Sequence, residues 1–155
     1  MELSDIIRSD AVRAGLKVTS KKRLLQELAE LAADLDAEVK AGPCLDALQE
    51  RETLGPTGMG AGVAIPHARL PELDRVIGYF ARLEKPVEFE AVDGRPVDLV
   101  FMLLAPEEAG AEHLRALARV SRTLRDPAVC EKIRSTDDAT AIYTILTEPA
   151  ASQAA

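Results

Sequence analysis

An α/β domain is the fold class this sequence predicts, and three observations predict it. The first and last thirds carry apolar residues at helical spacing. The middle third holds short apolar segments rich in β-branched and aromatic residues. Glycine- and proline-bearing turns separate the segments. The chain's 155 residues amount to one domain, large enough to bury a core without disulfide staples. With 47% hydrophobic and 29% charged residues it is globular rather than disordered in composition.

The elements follow in order. After Thr19-Ser20, either of which can cap, Leu24, Leu28, Leu31 and Leu35 form one apolar stripe with Leu25 and Ala32. Gly42-Pro43 stops that helix and opens a short one from Pro43 to Arg51, with Leu45 and Leu48 inward. A loop with four glycines, from Gly55 to Gly62, runs into Val63-Ala64-Ile65-Pro66-His67. Strands are predicted over Val76–Leu83, more weakly around Val87–Phe89, and over Val97–Ala105, with an Asp93-Gly94 turn between the last two. A helix then runs from Leu114 to Arg125. Asp126-Pro127 caps another that turns Val129, Cys130 and Ile133 inward. Asp137-Asp138 opens the last, burying Ile142, Ile145 and Leu146. The expected domain is 1–148, with Pro149–Ala155 as a disordered tail.

Charge narrows the partners. With 19 Lys and Arg against 26 Asp and Glu the net charge is −7, which argues against nucleic acid or an anionic membrane surface, both bound through basic footprints. Cys44 and Cys130 have neither zinc-ribbon nor disulfide-framework spacing and read as buried thiols. The first residues lack a signal-peptide pattern, and the Leu99–Ala105 run is far short of the roughly 20 residues that span a membrane. A cytoplasmic protein is expected.

Candidate catalytic groups are few. His67 and His113 are the only histidines, the side chains whose ordinary pKa lies near neutrality. His67 ends an apolar run broken by Pro66, so the strand is expected to end there and present the imidazole at its terminus, unless His67 is a satisfied core residue. His113, by itself, reads as a surface position before a helix. In the glycine loop, backbone amides around Gly58 and Gly60 can converge on an anion, Thr57 adds a hydroxyl and Arg51 a planar fork. The loop is no dinucleotide fingerprint, because a helix precedes it and a strand follows. A neutral imidazole beside an anion-binding loop suits covalent histidine phosphorylation, which needs positioning and charge stabilisation and no metal or cofactor. The bland alternatives are a flexible turn and an Arg51 that merely pairs with Glu52.

The block Arg51-Glu52-Thr53-Leu54-Gly55-Pro56-Thr57-Gly58-Met59-Gly60-Ala61-Gly62-Val63-Ala64-Ile65-Pro66-His67 resembles the signature of enzyme IIA domains of the phosphoenolpyruvate:sugar phosphotransferase system, fructose/mannitol superfamily. Val92–Phe101, Leu103-Leu104-Ala105-Pro106 and His113-Leu114 extend the resemblance to about residues 2–147, and the free-standing nitrogen-type enzyme IIA is the strongest likeness. The resemblance implies an α/β sandwich with a mixed sheet flanked by helices. It implies that His67 accepts a phosphoryl group on Nε2 from a histidine phosphocarrier protein, with His113 and Arg51 beside it. Pro56 and Ala68 stand where serine and glycine are frequent in that family, and Pro56 removes a hydroxyl and an amide donor.

Three function classes follow. The first is a regulatory phosphocarrier whose phosphorylation state governs binding to cytoplasmic proteins. The second is a sugar-uptake enzyme IIA passing the phosphoryl group to a IIB cysteine; the lack of a membrane span or a second domain favours the first. The third is an interaction module with inert histidines, disfavoured by Arg51, the glycine loop and both histidines occurring together. No Ser–His–acid order supports a hydrolase.

Overall fold

Residues Leu99 to Ala105 are all buried, whichever way alternate side chains point, so this strand is covered on both faces. It lies in β6 (Val97–Pro106), the centre of a six-stranded sheet in a computed structural model that describes residues 1–148. On one side β6 pairs antiparallel with β5 (Ile77–Val87), which in turn pairs parallel with the edge strand β1 (Ile7–Leu16). On the other side β3 (Val63–Ala64) and then β4 (His67–Leu70) pair parallel with successive parts of β6, and β2 (Gly58–Gly60) closes that edge antiparallel to β3. The sheet is therefore mixed.

Helix α1 (Lys21–Leu35) packs on α2 (Ala41–Thr53), which rests on β4. Helix α3 (Gly110–Leu124) lies on β6, and α4 (Pro127–Arg134) links it to α5 (Ala139–Thr147), which covers β1. These two groups bury the sheet, giving the expected α/β fold in a single domain. Ser20 caps α1 through the Arg23 amide, Asp126 caps α4 through Ala128, and Asp138 caps α5 through Thr140, as their sequence positions predict.

Three boundaries differ from the sequence expectation, and strand β1 has no counterpart in it. Helix α2 starts at Ala41, two residues before Pro43, because a first-turn amide has no intrahelical acceptor and its loss costs nothing. Helix α3 starts at Gly110, placing His113 inside the first turn. The segments at Val76–Leu83 and Val87 are one strand, β5, whose pairing with β6 is irregular between Arg82 and Val87. Strand β1 carries no clean alternation: Arg8, Ser9 and Asp10 are exposed in succession and its register slips between Ile7 and Val12. The expected tail, 149–155, lies outside the described residues. Among the described residues no helix is long and apolar enough to cross a membrane.

Candidate functional site

Pro66 builds the site. β3 and β4 share one register on β6, Ala64 opposite Val100 and His67 opposite Leu103, so Ile65-Pro66 interrupts the edge without shifting it. Instead of ending at His67, as the proline suggested, the chain resumes as a strand there. The interruption leaves the Ile65 carbonyl beside the His67 ring, 2.8 Å from Nδ1. A carbonyl only accepts, so Nδ1 carries the proton and Nε2 carries the lone pair.

The lone pair is not idle. Arg51, in the last turn of α2, donates its Nε–H to His67 Nε2 at 3.2 Å and an Nη1–H to the Gly55 carbonyl at 3.1 Å. Burial holds the His67 pKa below the usual imidazole value, and the Arg51 charge depresses it further, against the opposing pull of the Ile65 carbonyl. His67 is thus neutral at physiological pH, with the lone pair of Nε2 on the Arg51 Nε–H.

His113 stands beside it, ring centroids 5.6 Å apart and nearly perpendicular at 75°. It is not the surface residue its local sequence suggested: it is only 4% exposed, because α3 begins early and turns this position onto the sheet. Desolvation first, then repulsion from His67 when it is protonated and from Arg69, lowers its pKa to about 4. Its Nε2 is buried without a hydrogen-bond partner among the described residues. The two imidazoles, Arg51 and Arg69 line a hollow of about 510 Å³ rimmed by Leu54 and Leu114.

The glycine loop behaves differently from an amide cradle. It is a β-hairpin, and carboxylates hold two of its amides: Thr57 N–H donates to Glu52 and Ala61 N–H to Asp93. The Thr57 hydroxyl is also given to Glu52, which in turn pairs with Lys21 at 2.9 Å. Glu52 therefore serves the loop and not Arg51. Gly58 is required by packing, since a Cβ there would meet Ala91 at 2.7 Å. Thr57 and Gly58 line a second hollow that His67 shares, whereas Gly60, at φ +102°, faces Asp93 in a separate one. Arg51, His67 and His113 are thus brought together, Thr57 and Gly58 border them, and Gly60 is remote. Sequence reasoning missed Arg69, whose signal was its place two residues after His67 on a strand.

Comparison with known proteins fits this geometry. The model of the phosphoenolpyruvate-dependent sugar phosphotransferase system EIIA 2 family matches residues 5–148. The chain belongs to that family. This EIIA chain is 51% identical over 154 residues to a nitrogen regulatory protein of Bradyrhizobium diazoefficiens, covering 99% of this chain and 100% of the relative. A crystal structure of nitrogen regulatory protein IIA-Ntr from Neisseria meningitidis superposes with a TM-score of 0.87 at 35% identity, covering 94% of this EIIA chain and 99% of that one. A fructose-specific EIIA component of Haloferax volcanii is 34% identical over 147 residues, 95% of this chain and 96% of the relative.

Proposed function

We propose that this EIIA chain is a regulatory phosphoprotein charged on His67 Nε2 by a histidine phosphocarrier protein, its phosphorylation state controlling cytoplasmic partner proteins. The observation that carries the reading is the division of labour on one ring: Nδ1–H is fixed on the Ile65 carbonyl, and Nε2 keeps its lone pair on Arg51 beside a hollow that two guanidinium groups line. In the transfer, Nε2 attacks the phosphorus of the carrier's phosphohistidine. The donor P–N bond breaks, its electron pair returns to the donor imidazole, and a new P–N bond forms on His67.

Arg51 has two roles in sequence. It first holds Nε2 by its Nε–H, and must then leave that nitrogen as the P–N bond forms, turning its fork onto the phosphoryl oxygens. His113 offers a second imidazole at the same point. Thr57 and Gly58 enter as part of the hairpin that borders this site rather than as phosphate donors, and Gly60, which faces a separate hollow, takes no part. No metal or cofactor has a part in the step.

The full-length match to nitrogen regulatory relatives at higher identity favours regulation over sugar uptake, and the fructose-specific relative keeps transfer to a IIB cysteine as the second reading. Incubation with phosphoenolpyruvate, enzyme I and a phosphocarrier should add one phosphoryl mass to the wild type and none to His67→Ala. The adduct should be acid-labile and base-stable. Full phosphorylation of His67→Ala would overturn the assignment, and efficient onward transfer to a IIB protein would favour the sugar reading.

A further inference from the structure

Arg69 follows His67 by two positions on β4, and alternate residues of a strand share a face. Ala68 and Leu70 are buried while Arg69 is exposed and His67 half-buried, so imidazole and guanidinium leave the strand on the same side, into the hollow they line with His113. Two strand steps span about 7 Å, within the reach of an arginine side chain.

Arg69 is also uncommitted. Arg8, Arg23, Arg75, Arg82, Arg119 and Arg134 each engage a carboxylate. Arg69 has no ion pair among the described residues; its one hydrogen bond goes from Nη1 to the Glu107 carbonyl, at 3.1 Å. Its charge reaches both imidazoles and lowers the proton affinity of each.

A phosphoryl group brings close to two negative charges into a protein whose formal net charge is already −7. Glu50 lines the same hollow and adds a carboxylate to its rim. Arg51 alone leaves that dianion partly uncompensated. A second cation on the strand that carries the acceptor is placed to balance it.

We propose that Arg69 is a second phosphoryl-binding residue: when His67 carries the phosphoryl group on Nε2, the Arg69 guanidinium exchanges the Glu107 carbonyl for a phosphoryl oxygen and acts beside Arg51. This rests on the phosphohistidine reading above. Phosphoramidate, a small P–N donor, tests it free of any docking effect. Nε2 attacks phosphorus, the P–N bond of the N-protonated donor breaks, and ammonia leaves with the electron pair.

Intact-mass time courses at pH 8, where both imidazoles are neutral, compare wild type with Arg69→Gln, Arg69→Lys and Arg69→Ala. Gln keeps a donor for the Glu107 carbonyl but loses the charge; Lys keeps the charge. Arg69→Gln and Arg69→Ala should react about fivefold more slowly, Arg69→Lys within about twofold of wild type, all with unchanged melting temperatures. A wild-type rate in Arg69→Gln overturns the proposal. A slow Arg69→Ala with a lowered melting temperature, beside a normal Arg69→Gln, makes Arg69 a structural tie only. Failure of the wild type to become phosphorylated on His67 by phosphoramidate or by a charged phosphocarrier overturns the phosphohistidine reading itself, and this proposal with it.

Discussion

Two polar clusters in this molecule, one around the buried Asp36 and one beside the buried His113, are built on opposite principles. Around Asp36, 3% exposed between α1 and α2, every demand is met: Tyr79 donates its hydroxyl at 2.6 Å, and Arg8 and Arg75 add guanidinium contacts at 2.9 and 3.4 Å. The Tyr79 hydroxyl is pushed far above its ordinary pKa by burial and by that carboxylate, so it remains a donor. Around His67 the demands stay open: His113 Nε2 has no partner among the described residues, and neither Arg51 nor Arg69 meets a carboxylate. The first cluster is paired throughout, as groups that hold a fold are, whereas the second keeps open donors and acceptors, as the proposed phosphoryl site requires. Stability and chemistry should therefore separate under mutation.

The largest stability effect falls on the satisfied cluster. Asp36→Ala strands the buried Tyr79 hydroxyl, while Arg8 keeps Asp10 and Arg75 keeps Glu38 and Asp74, and should cost about 3 kcal/mol in urea unfolding. The phosphorylation rate per folded molecule should stay near wild type. A large loss of rate in still-folded protein would erase the contrast between the clusters.

Next comes the pH response of His113. Its folded pKa, about 4, lies below the ordinary 6.5, so between those values the unfolded chain binds a proton that the folded chain refuses. Stability is full above about pH 6.5 and falls as pH drops towards 4, by up to about 3 kcal/mol from this residue. His113→Gln should flatten that part of the stability–pH curve. Parallel curves for wild type and variant would show that His113 titrates normally.

Tyr79→Phe removes one hydrogen bond but leaves Asp36 its two arginines, for a loss of about 1–2 kcal/mol in the same unfolding measurement. Loss as large as that of Asp36→Ala would mean that the arginines contribute nothing. Arg51→Ala should change stability least, by under about 1 kcal/mol, because the bonds it loses lie at the opening of the site. Phosphorylation should nonetheless slow in the order wild type, Arg51→Lys, Arg51→Ala, read by rapid quench. Equal rates would break the comparison from the other side.

Much of this was legible in the chain. Periodicity located α1, and caps at Ser20, Asp126 and Asp138 set three helix starts, because those signals act within a few residues. The apolar segment from Val97 to Ala105 predicted the strand β6, though not its central place in the sheet. Burial also matches the expectation for both cysteines, with the Cys44 thiol pushed up to about 12 by desolvation. His67 stood out because a proline and a glycine-rich segment precede a lone imidazole. Strand β1 was not legible, since its pairing with β5 is held by residues some seventy positions away and its exposed polar run masks the alternation.

The sequence by itself marked His67, the proposed acceptor, and the interruption ahead of it, for both are written in a few consecutive residues. Only the tertiary structure decided what surrounds that imidazole. His113 comes from a helix whose early start local spacing does not reveal, Arg51 from the far end of α2, and Arg69 from a strand that exists because β6 offers it an edge. The same packing turned Thr57 and Gly60 towards the carboxylates of Glu52 and Asp93. Those carboxylates act through space, at distances that spacing along a chain does not encode.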